Sequence, residues 1–295
     1  MKLVCNPESI THLHLLSILV TEINKKKLND GLVRILDAGC GNGHLSSFLH
    51  LNLTALFPNL DFEIYGYDIA DHGVQAKDFF QNTVSWCIEN CPDVPWEDRL
   101  KLITHDQNWP FGNNFFDYVL SNQVLEHVWD HQFFFFENAR VLKQGGSGVH
   151  LFPLKHYFYE GHLLIPFAHK IADWYLLKSY ISIMSWLGFG AYKAHNNLSI
   201  EKYSEMHADY ITFYTNYISY SEAIRIVKQA QLRPSLKYTA DFYWHKLRQV
   251  LKQNTLIDLG EHKRAGALYS IANHSLKFIS CITLFVEKNN SYSRV

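Results

Sequence analysis

Apolar residues recur at helical spacing near the start of the chain. Ile10, Leu13, Leu16, Val20 and Ile23 fall on one face of residues 8–29. They predict an amphipathic helix with lysines in its last turn and Gly31 just beyond. The period then changes. VRILDAG (33–39) is a short β-rich run that stops at glycine, and HLSSFLHLNLTALF (44–57) returns to helical spacing before Pro58. The alternation continues with strands at 61–68, 100–106, 115–122 and 148–153. Helices are expected at 75–90 and 131–143, the second ending at Gly145-Gly146. Strands and helices in that order predict an α/β fold: an open, mostly parallel sheet with helices on both faces, joined by right-handed crossovers.

After Pro153 the rhythm is lost. Residues 154–218 are rich in tyrosine, tryptophan and histidine, and 163–187 hold enough apolar residues for one or two helices. We expect an inserted, mainly helical cap over the sheet's C-terminal edge. Residues 219–231 read as another core helix, 241–275 contain a helical stretch, and SCITLFVEK (280–288) is a terminal strand. The expected organisation is an N-terminal helix (1–30), a core (31–153), the cap (154–218) and a C-terminal completion of the core (219–295).

Composition narrows the function. The chain has 295 residues, 47% of them hydrophobic, which excludes a disordered protein and suffices for one large domain with an insertion. Lysine plus arginine number 27 against 28 aspartates and glutamates, and the one basic run, Lys25 to Lys27, reads as a helix end. A nucleic-acid partner is therefore not expected, since phosphate contacts need clustered cations. Five cysteines without framework spacing point to a reduced thiol pool and a cytoplasmic location. No apolar stretch reaches the roughly 18 residues of a spanning helix. The nearest, Ile165 to Phe189, is interrupted by His169, Lys170, Asp173 and Lys178. The N-terminus has no small-residue cleavage pattern of a signal peptide.

The most informative stretch is LDAGCGNG (36–43), where glycines 39, 41 and 43 follow a strand and open a helix. Such a turn permits positive φ, lets a ligand approach the backbone and aims helix amides at it. The spacing is G-x-G-x-G rather than the G-x-G-x-x-G of a pyrophosphate site, which speaks against a nucleotide-dependent oxidoreductase. Asp68 ends the second strand, where a carboxylate can accept from ribose hydroxyls, and Asp106 ends the third. Taken alone, the glycines are also compatible with a plain tight turn.

Three runs together carry a family likeness: ILDAGCGNG, YGYDIAD and HDQNWPFGNNFFDYVLSNQVLEHV. With them the chain resembles the class I S-adenosylmethionine-dependent methyltransferases. The last run is similar to the ubiquinone-biosynthesis-type and the sugar and natural-product members. The resemblance covers residues 30–153 well and the rest in outline. It implies a Rossmann-like seven-stranded sheet with an antiparallel last strand, and S-adenosylmethionine as cofactor. It implies that Asp37, Gly39, Cys40 and Gly41 hold the methionine end, that Asp68 binds the ribose, and that Ile69 packs on the adenine. Asp106 and Gln107 would meet the adenine edge, and Asn122 and Gln123 the wall beside the sulfonium. Two features depart from the family: the cap is large, and about 40 residues separate the sixth and seventh strands where a handful is usual.

Methyl transfer from a sulfonium is an in-line displacement that depends mainly on positioning, with a general base helping a hydroxyl acceptor. His127, in LEHV, lies just past the fourth strand, and in similar sugar O-methyltransferases a histidine near this place can face the acceptor. A second group leaves the fifth strand in LFPLKHYFYEGHLLIPFAHK (151–170), with His156, Glu160, His162 and His169. Glu160 could orient His162 as a base held by a carboxylate. Either group has a structural alternative, in which its polar atoms satisfy one another. No metal is expected: Glu160, His162 and His169 are suitable ligand types, but their spacing matches no zinc signature. Cys87 and Cys91, four apart on an expected helix and without a partner pair, read as core or surface thiols rather than ligands.

The aromatic residues of the cap have three readings: the wall of an acceptor pocket, the cap's own core, or a surface for a homodimer or a membrane. The expected function is methyl transfer to a small-molecule acceptor, foremost O-methylation of a hydroxyl on a sugar or natural product. Alternatives are an N-methyltransferase of a natural product and a cofactor-binding, non-catalytic partner protein.

Overall fold

Strand β1 (Gly31–Ala38) sits at the centre of the molecule, and its last four residues are buried. Such continuous burial belongs to a strand covered on both faces. The computed structural model describes residues 2–28, 30–71, 78–194, 198–253, 257–260, 266–279 and 281–289. Around β1 the order is α1 (Ile10–Lys26), α2 (His44–Leu56), β2 (Leu60–Ile69), α3 (Phe79–Asn90), the single turn α4 (Trp96–Arg99), β3 (Leu100–Ile103) and β4 (Phe116–Asn122). Then come α5 (His131–Val141), β5 (Leu142–Pro153), α6 (Trp174–Trp186), α7 (Ile200–Tyr214), α8 (Tyr220–Gln229), β6 (Leu232–Ser235), α9 (Thr239–Val250), α10 (Ala267–Leu276) and β7 (Cys281–Lys288).

The seven strands pair in the order β3-β2-β1-β4-β5-β7-β6. Neighbours from β3 to β5 are parallel, and β7 runs antiparallel to both β5 and β6. The sheet is therefore mixed, with β7 as its one reversed strand, as expected. Strand order turns back between β1 and β4, so the carboxyl ends of β1, β2 and β4 flank a crevice of the kind that holds ligands in such sheets. Successive residues of β1 serve opposite layers. Ile35 packs with Leu16, Leu19 and Leu49 on one face, and Leu36 with Phe135, Ile226 and Leu284 on the other.

Several elements differ from the sequence expectation. Helix α1 is no half-exposed amphipath: His12 through Ile23 are all buried. Several of its polar residues find partners instead. His14 Nε2 lies 2.8 Å from Thr283 Oγ1, and Glu22 pairs with Lys237 and Tyr238. Strand β5 begins at Leu142 rather than 148, so Gly145 and Gly146 lie inside it, and its pairing with β4 shifts register between Phe116 and Tyr118. Strand β3 ends at Ile103, where Gln107 N–H donates to the Thr104 carbonyl and closes a turn. Among the described residues the stretch 241–275 holds two helices, and the sixth strand, given no bounds from the sequence, is β6, which contains Pro234. At a sheet edge a proline is tolerated. The expected helix at 75–90 begins at Phe79, and 75–77 lie outside the described residues.

The insertion begins and ends at one point, where Lys155 N–H donates to the Ile218 carbonyl at 2.9 Å. Between them lie a short antiparallel hairpin, Tyr159–Glu160 against Ile165–Pro166, and the packed pair α6 and α7. They share a core of their own, including Leu163, Ile165, Leu177, Ile181, Tyr203 and Ile211. No helix among the described residues is long and apolar enough to cross a membrane.

Candidate functional site

The loop from β1 to α2 is fastened to the end of β2. Gly39 and Cys40 N–H both donate to the Tyr67 carbonyl, at 2.9 and 3.0 Å. Gly41 N–H donates to Asp68 Oδ2 at 2.6 Å, and Ile69 N–H to Asp68 Oδ1 at 2.7 Å. Gly39 has φ +79°, and a Cβ there would stand 2.6 Å from Val124 Cγ2. Only glycine satisfies both the backbone conformation and that contact. At Gly41, φ +51°, a Cβ would meet nothing within 4 Å.

A cavity of about 600 Å³ opens at this edge. Of the residues singled out from sequence, Gly39, Gly41, Asp68, Ile69, Gln107, Asn122, Gln123 and His127 line it. Asn122 Oδ1 is buried there with no hydrogen-bond partner among the described residues. Gln123 holds φ +57° at the end of β4, an unfavourable conformation for a side chain of its kind.

Asp37, Cys40 and Asp106 lie off the wall. Asp37 is buried beneath the loop and accepts from Ser46 Oγ at 2.8 Å. Burial pushes its pKa up to about 7, with Ser46 pulling back and the charge of Asp68 adding. Cys40 is wedged against β2, where a Cβ on Gly66 would stand 2.9 Å from its own Cβ. Asp106 turns to solvent and accepts from Thr104 Oγ1 at 2.6 Å.

Sequence reasoning missed several wall residues, among them Tyr67, Trp109 and Trp129, and read Tyr210 only as one of the cap aromatics, for which a pocket wall was one of three readings. It also missed an exposed pair at the rim, where Asp71 accepts from His105 N–H at 3.0 Å and faces His105 Nδ1 at 2.5 Å. The hydrogen bond and charge of Asp71 hold the His105 pKa above its ordinary value. The signal was present in part: YGYDIAD and HDQNWPF both run past strand ends that open on the crevice.

The opposite wall joins the turn Leu125–His127 to the cap. Asn216 N–H donates to the Glu126 carbonyl at 2.6 Å, and its Nδ2 donates to the carbonyls of Val128 and Trp129. His127 Nδ1 lies 2.7 Å from the Tyr214 carbonyl oxygen. A carbonyl only accepts, so Nδ1 carries a hydrogen and Nε2 of the neutral ring keeps its lone pair. That Nε2 is 3.3 Å from the Tyr210 hydroxyl, which is also 3.3 Å from His162 Nε2. His162 Nδ1 in turn donates to Glu160 Oε1 at 2.8 Å.

Glu160 is fully buried. It also accepts from the N–H groups of His162 and Leu163, at 2.9 and 2.7 Å, and from the Tyr217 hydroxyl at 2.8 Å. Burial alone would raise its pKa, but the bond and charge of His162 with the other donors hold it below the ordinary value. Burial likewise pulls His162 down, and the bond and charge of Glu160 outweigh that, with Glu126 adding, so its pKa lies above the ordinary histidine value. About a third of the His162 side chain, 35%, stays open to solvent. Glu126 is the buried neighbour of this chain, and its carboxyl oxygens have no hydrogen-bond partner among the described residues. Burial lifts its pKa to about 8, opposed by its own backbone N–H and the charge of His162, with Glu160's charge adding.

Tyr210 has one hydroxyl hydrogen for two imidazole nitrogens. Both contacts become hydrogen bonds only when one ring carries a second hydrogen, and Glu160 makes His162 that ring. With that proton, His162 Nε2–H donates to the Tyr210 oxygen and Tyr210 O–H donates to His127 Nε2. Without it, the single Tyr210 O–H can serve only one of the two rings. Glu160 and His162 themselves do not line the cavity; Tyr210 and His127 do. His169 packs beside this network, its ring centre 5.3 Å from that of Tyr217, but does not line the cavity. Its ring stacks on Tyr157 at 4.3 Å, and burial lowers its pKa to about 4. No group of three metal-ligating side chains occurs among the described residues, and Cys87 and Cys91 are buried thiols.

Residues 36–149, from β1 through most of β5, match the family model described as a methyltransferase domain. The chain carries a methyltransferase domain. No curated protein matches it. Among solved structures, the domain and its additions are similar to the YcgJ protein from Bacillus subtilis, at 17% identity over 94% of this chain and 98% of that one, with a TM-score of 0.45. They are also similar to geranyl diphosphate C-methyltransferase from Streptomyces coelicolor A3(2), at 13% identity, 97% and 84% coverage and a TM-score of 0.45. A third is phosphoethanolamine N-methyltransferase 2 from Haemonchus contortus, at 14% identity, 92% and 52% coverage and a TM-score of 0.46. Likeness at this level carries no weight for the chemistry of the methyltransferase domain.

Proposed function

We propose that this protein transfers a methyl group from S-adenosylmethionine to a hydroxyl of a small-molecule acceptor, a sugar or natural product, with His127 as general base. The cavity suits the donor on three counts. Asp68, next to last in β2, accepts from the loop's Gly41 N–H at Oδ2 and from Ile69 N–H at Oδ1, the backbone at Gly41 is uncovered, and Asn122 Oδ1 is an unsatisfied acceptor for an ammonium group. Asp68 would take the ribose hydroxyls, Ile69 and Gln107 the adenine, and Gly39 and Gly41 the methionine end. Asp37 and Cys40 would support that loop from beneath. When bound, the sulfonium supplies an electrophilic methyl group and a neutral thioether leaving group.

The observation that carries the base assignment is the fixed His127 ring, with Nδ1 tied to the Tyr214 carbonyl and Nε2 at the cavity beside Tyr210. In the state competent for catalysis, His162 is neutral and takes the Tyr210 hydrogen. His127 Nε2 then accepts the acceptor's hydroxyl proton as the oxygen attacks. The new His127 Nε2–H can donate to Tyr210, whose own hydrogen is already directed at His162 Nε2, while His162 Nδ1–H donates to Glu160. The proton is thus drawn toward a buried carboxylate. Glu160 and His162 act through Tyr210 as positioning residues, and His169 has no part in this reading.

Two measurements test it. Calorimetric titration of the protein, freed of copurified nucleoside, should show micromolar binding of S-adenosylhomocysteine; absence of binding overturns the donor assignment. With a methylated hydroxyl acceptor in hand, kcat/KM should rise with pH to a plateau, with its midpoint above the ordinary histidine value. A flat profile across that range removes the histidine base.

A further inference from the structure

Helix α6 buries only one side. Leu177, Ile181 and Ser185 face the cap's core and α7. The opposite arc, about 120° wide at 3.6 residues per turn, is Tyr175, Leu176, Ser179, Ile183, Trp186 and Leu187, all exposed. Trp186 is 76% exposed and Tyr175 75%, and no charged residue lies on the arc. A water-facing helix normally carries its charges there.

The apolar surface continues past the helix. The chain turns through Gly188 and Gly190, and Ala191 N–H donates to the Leu163 carbonyl at 2.8 Å. A Cβ on Gly190 would stand 2.7 Å from that oxygen and from Ile165 Cγ1. Exposed Phe189 is thereby set beside the hairpin, whose Leu164, Phe158 and Phe167 are also exposed, the two phenylalanine rings 4.5 Å apart. Cations stand at the margins. Lys170 Nζ is 4.8 Å from the Phe167 ring centre, before α6, and Lys193 Nζ lies 3.4 Å from where a Gly188 Cβ would stand, after it. The acid nearest the start of the helix, Asp173, is engaged as its cap, accepting from Leu176 N–H.

We propose that this face of the cap docks on a phospholipid surface that contains anionic lipid. Aliphatic side chains flanked by tryptophan, tyrosine and phenylalanine, with lysines at the edge, match the layering of a bilayer boundary. The aliphatics enter the acyl region, the rings sit at headgroup depth and the ammonium groups reach phosphates. A second copy of the chain fits less well. An isologous contact would bring the lysine-edged face against itself, with no acid on the arc to answer. Docking is peripheral, since no described helix can span. It places the lipid surface beside the hairpin that carries Glu160 and His162. If the methyl-transfer reading holds, a lipid-carried acceptor would be presented at Tyr210 and His127.

The test is flotation of the full chain with vesicles of phosphatidylcholine and phosphatidylglycerol in equal parts, and with phosphatidylcholine alone. The chain should float with the mixed vesicles, more weakly with the neutral ones. The double variant Ile183→Ser, Trp186→Ser should lose about tenfold or more of that binding, and Lys170→Gln with Lys193→Gln several-fold, suppressed by salt. Unchanged S-adenosylhomocysteine affinity would show that the variants fold, and it separates failure here from failure of the methyl-transfer reading. Three results overturn the proposal: no flotation, flotation indifferent to the double variant, or a dimer by light scattering that the double variant dissociates.

Discussion

The two walls of the cavity are built by different means. On the donor side, backbone amides of Gly39, Cys40 and Gly41 are bound to the end of β2 within a few residues of two strand ends. On the acceptor side, side chains 48 and 83 residues apart in the sequence meet at one hydroxyl, that of Tyr210. The first wall is a property of a local turn and a parallel register. The second exists only once the cap has landed on the turn after β4. On the proposed function, binding of the donor and activation of the acceptor would therefore be separable by mutation.

The largest expected effect breaks the acceptor wall alone. His127→Gln keeps a side chain of similar reach but no base. Turnover should fall about 10²–10⁴-fold, while S-adenosylhomocysteine affinity stays within about twofold of the parent, because the role proposed for His127 is toward the acceptor and not the donor. Single-turnover rates and calorimetry read the two quantities. Loss of affinity equal to the loss of rate would mean that the two walls are not separable.

Breaking the donor wall should do the reverse. Gly39→Ala forces a side chain into a left-handed conformation and against Val124, and strain of this kind costs about 1–3 kcal/mol. Asp68→Ala releases the amides of Gly41 and Ile69 together, a loss of about 1–3 kcal/mol if both bonds matter to the bound loop. Either variant should weaken S-adenosylhomocysteine by roughly 10- to 100-fold. The rate of methyl transfer at saturating donor should change far less. Unchanged affinity in Asp68→Ala would remove the ribose assignment.

How much could be read from the sequence follows the same division. Strand β1 and the glycine turn were legible because local pattern sets them: VRILDA alternates between two layers, and glycines 39, 41 and 43 follow it at once; the reversal of β7 was implied only by the family resemblance, and the crowding of Gly39 by Val124 is a tertiary contact. Asp37 and Asp106 were legible as acidic strand ends, but not as groups that turn away from the cavity. Ser46 and Thr104, which hold them, are ordinary in sequence. Tyr210 carried only the general signal of the cap aromatics, any of which could wall a pocket. It is one of many tyrosines in the cap, and nothing local distinguishes it from Tyr203, which is buried in the cap's core. Its position between two histidines depends on how α7 packs, a tertiary matter. His169 misled for the converse reason: its neighbours in sequence look like the site, while its ring is stacked on Tyr157.

The smallest predicted effect bears on how the acceptor wall is charged. Glu160 is held below its ordinary pKa and His162 above its own. A raised histidine contributes stability in full below its unfolded value and loses it as pH rises through the folded one. A depressed carboxylate contributes above its unfolded value and loses it as pH falls through the folded one. The pair therefore stabilises the cap most between the ordinary carboxylate and histidine values, and less at either side. Glu160→Gln should lower the melting temperature in that interval and less outside it. The solvent exposure of His162 keeps the difference modest. The same variant removes what holds the second proton on His162. The rise of kcat/KM with pH should then move to lower pH, with the plateau little changed. A merely structural Glu160 would lower the whole profile without moving it, and titration of the His162 ring by NMR would distinguish the two directly.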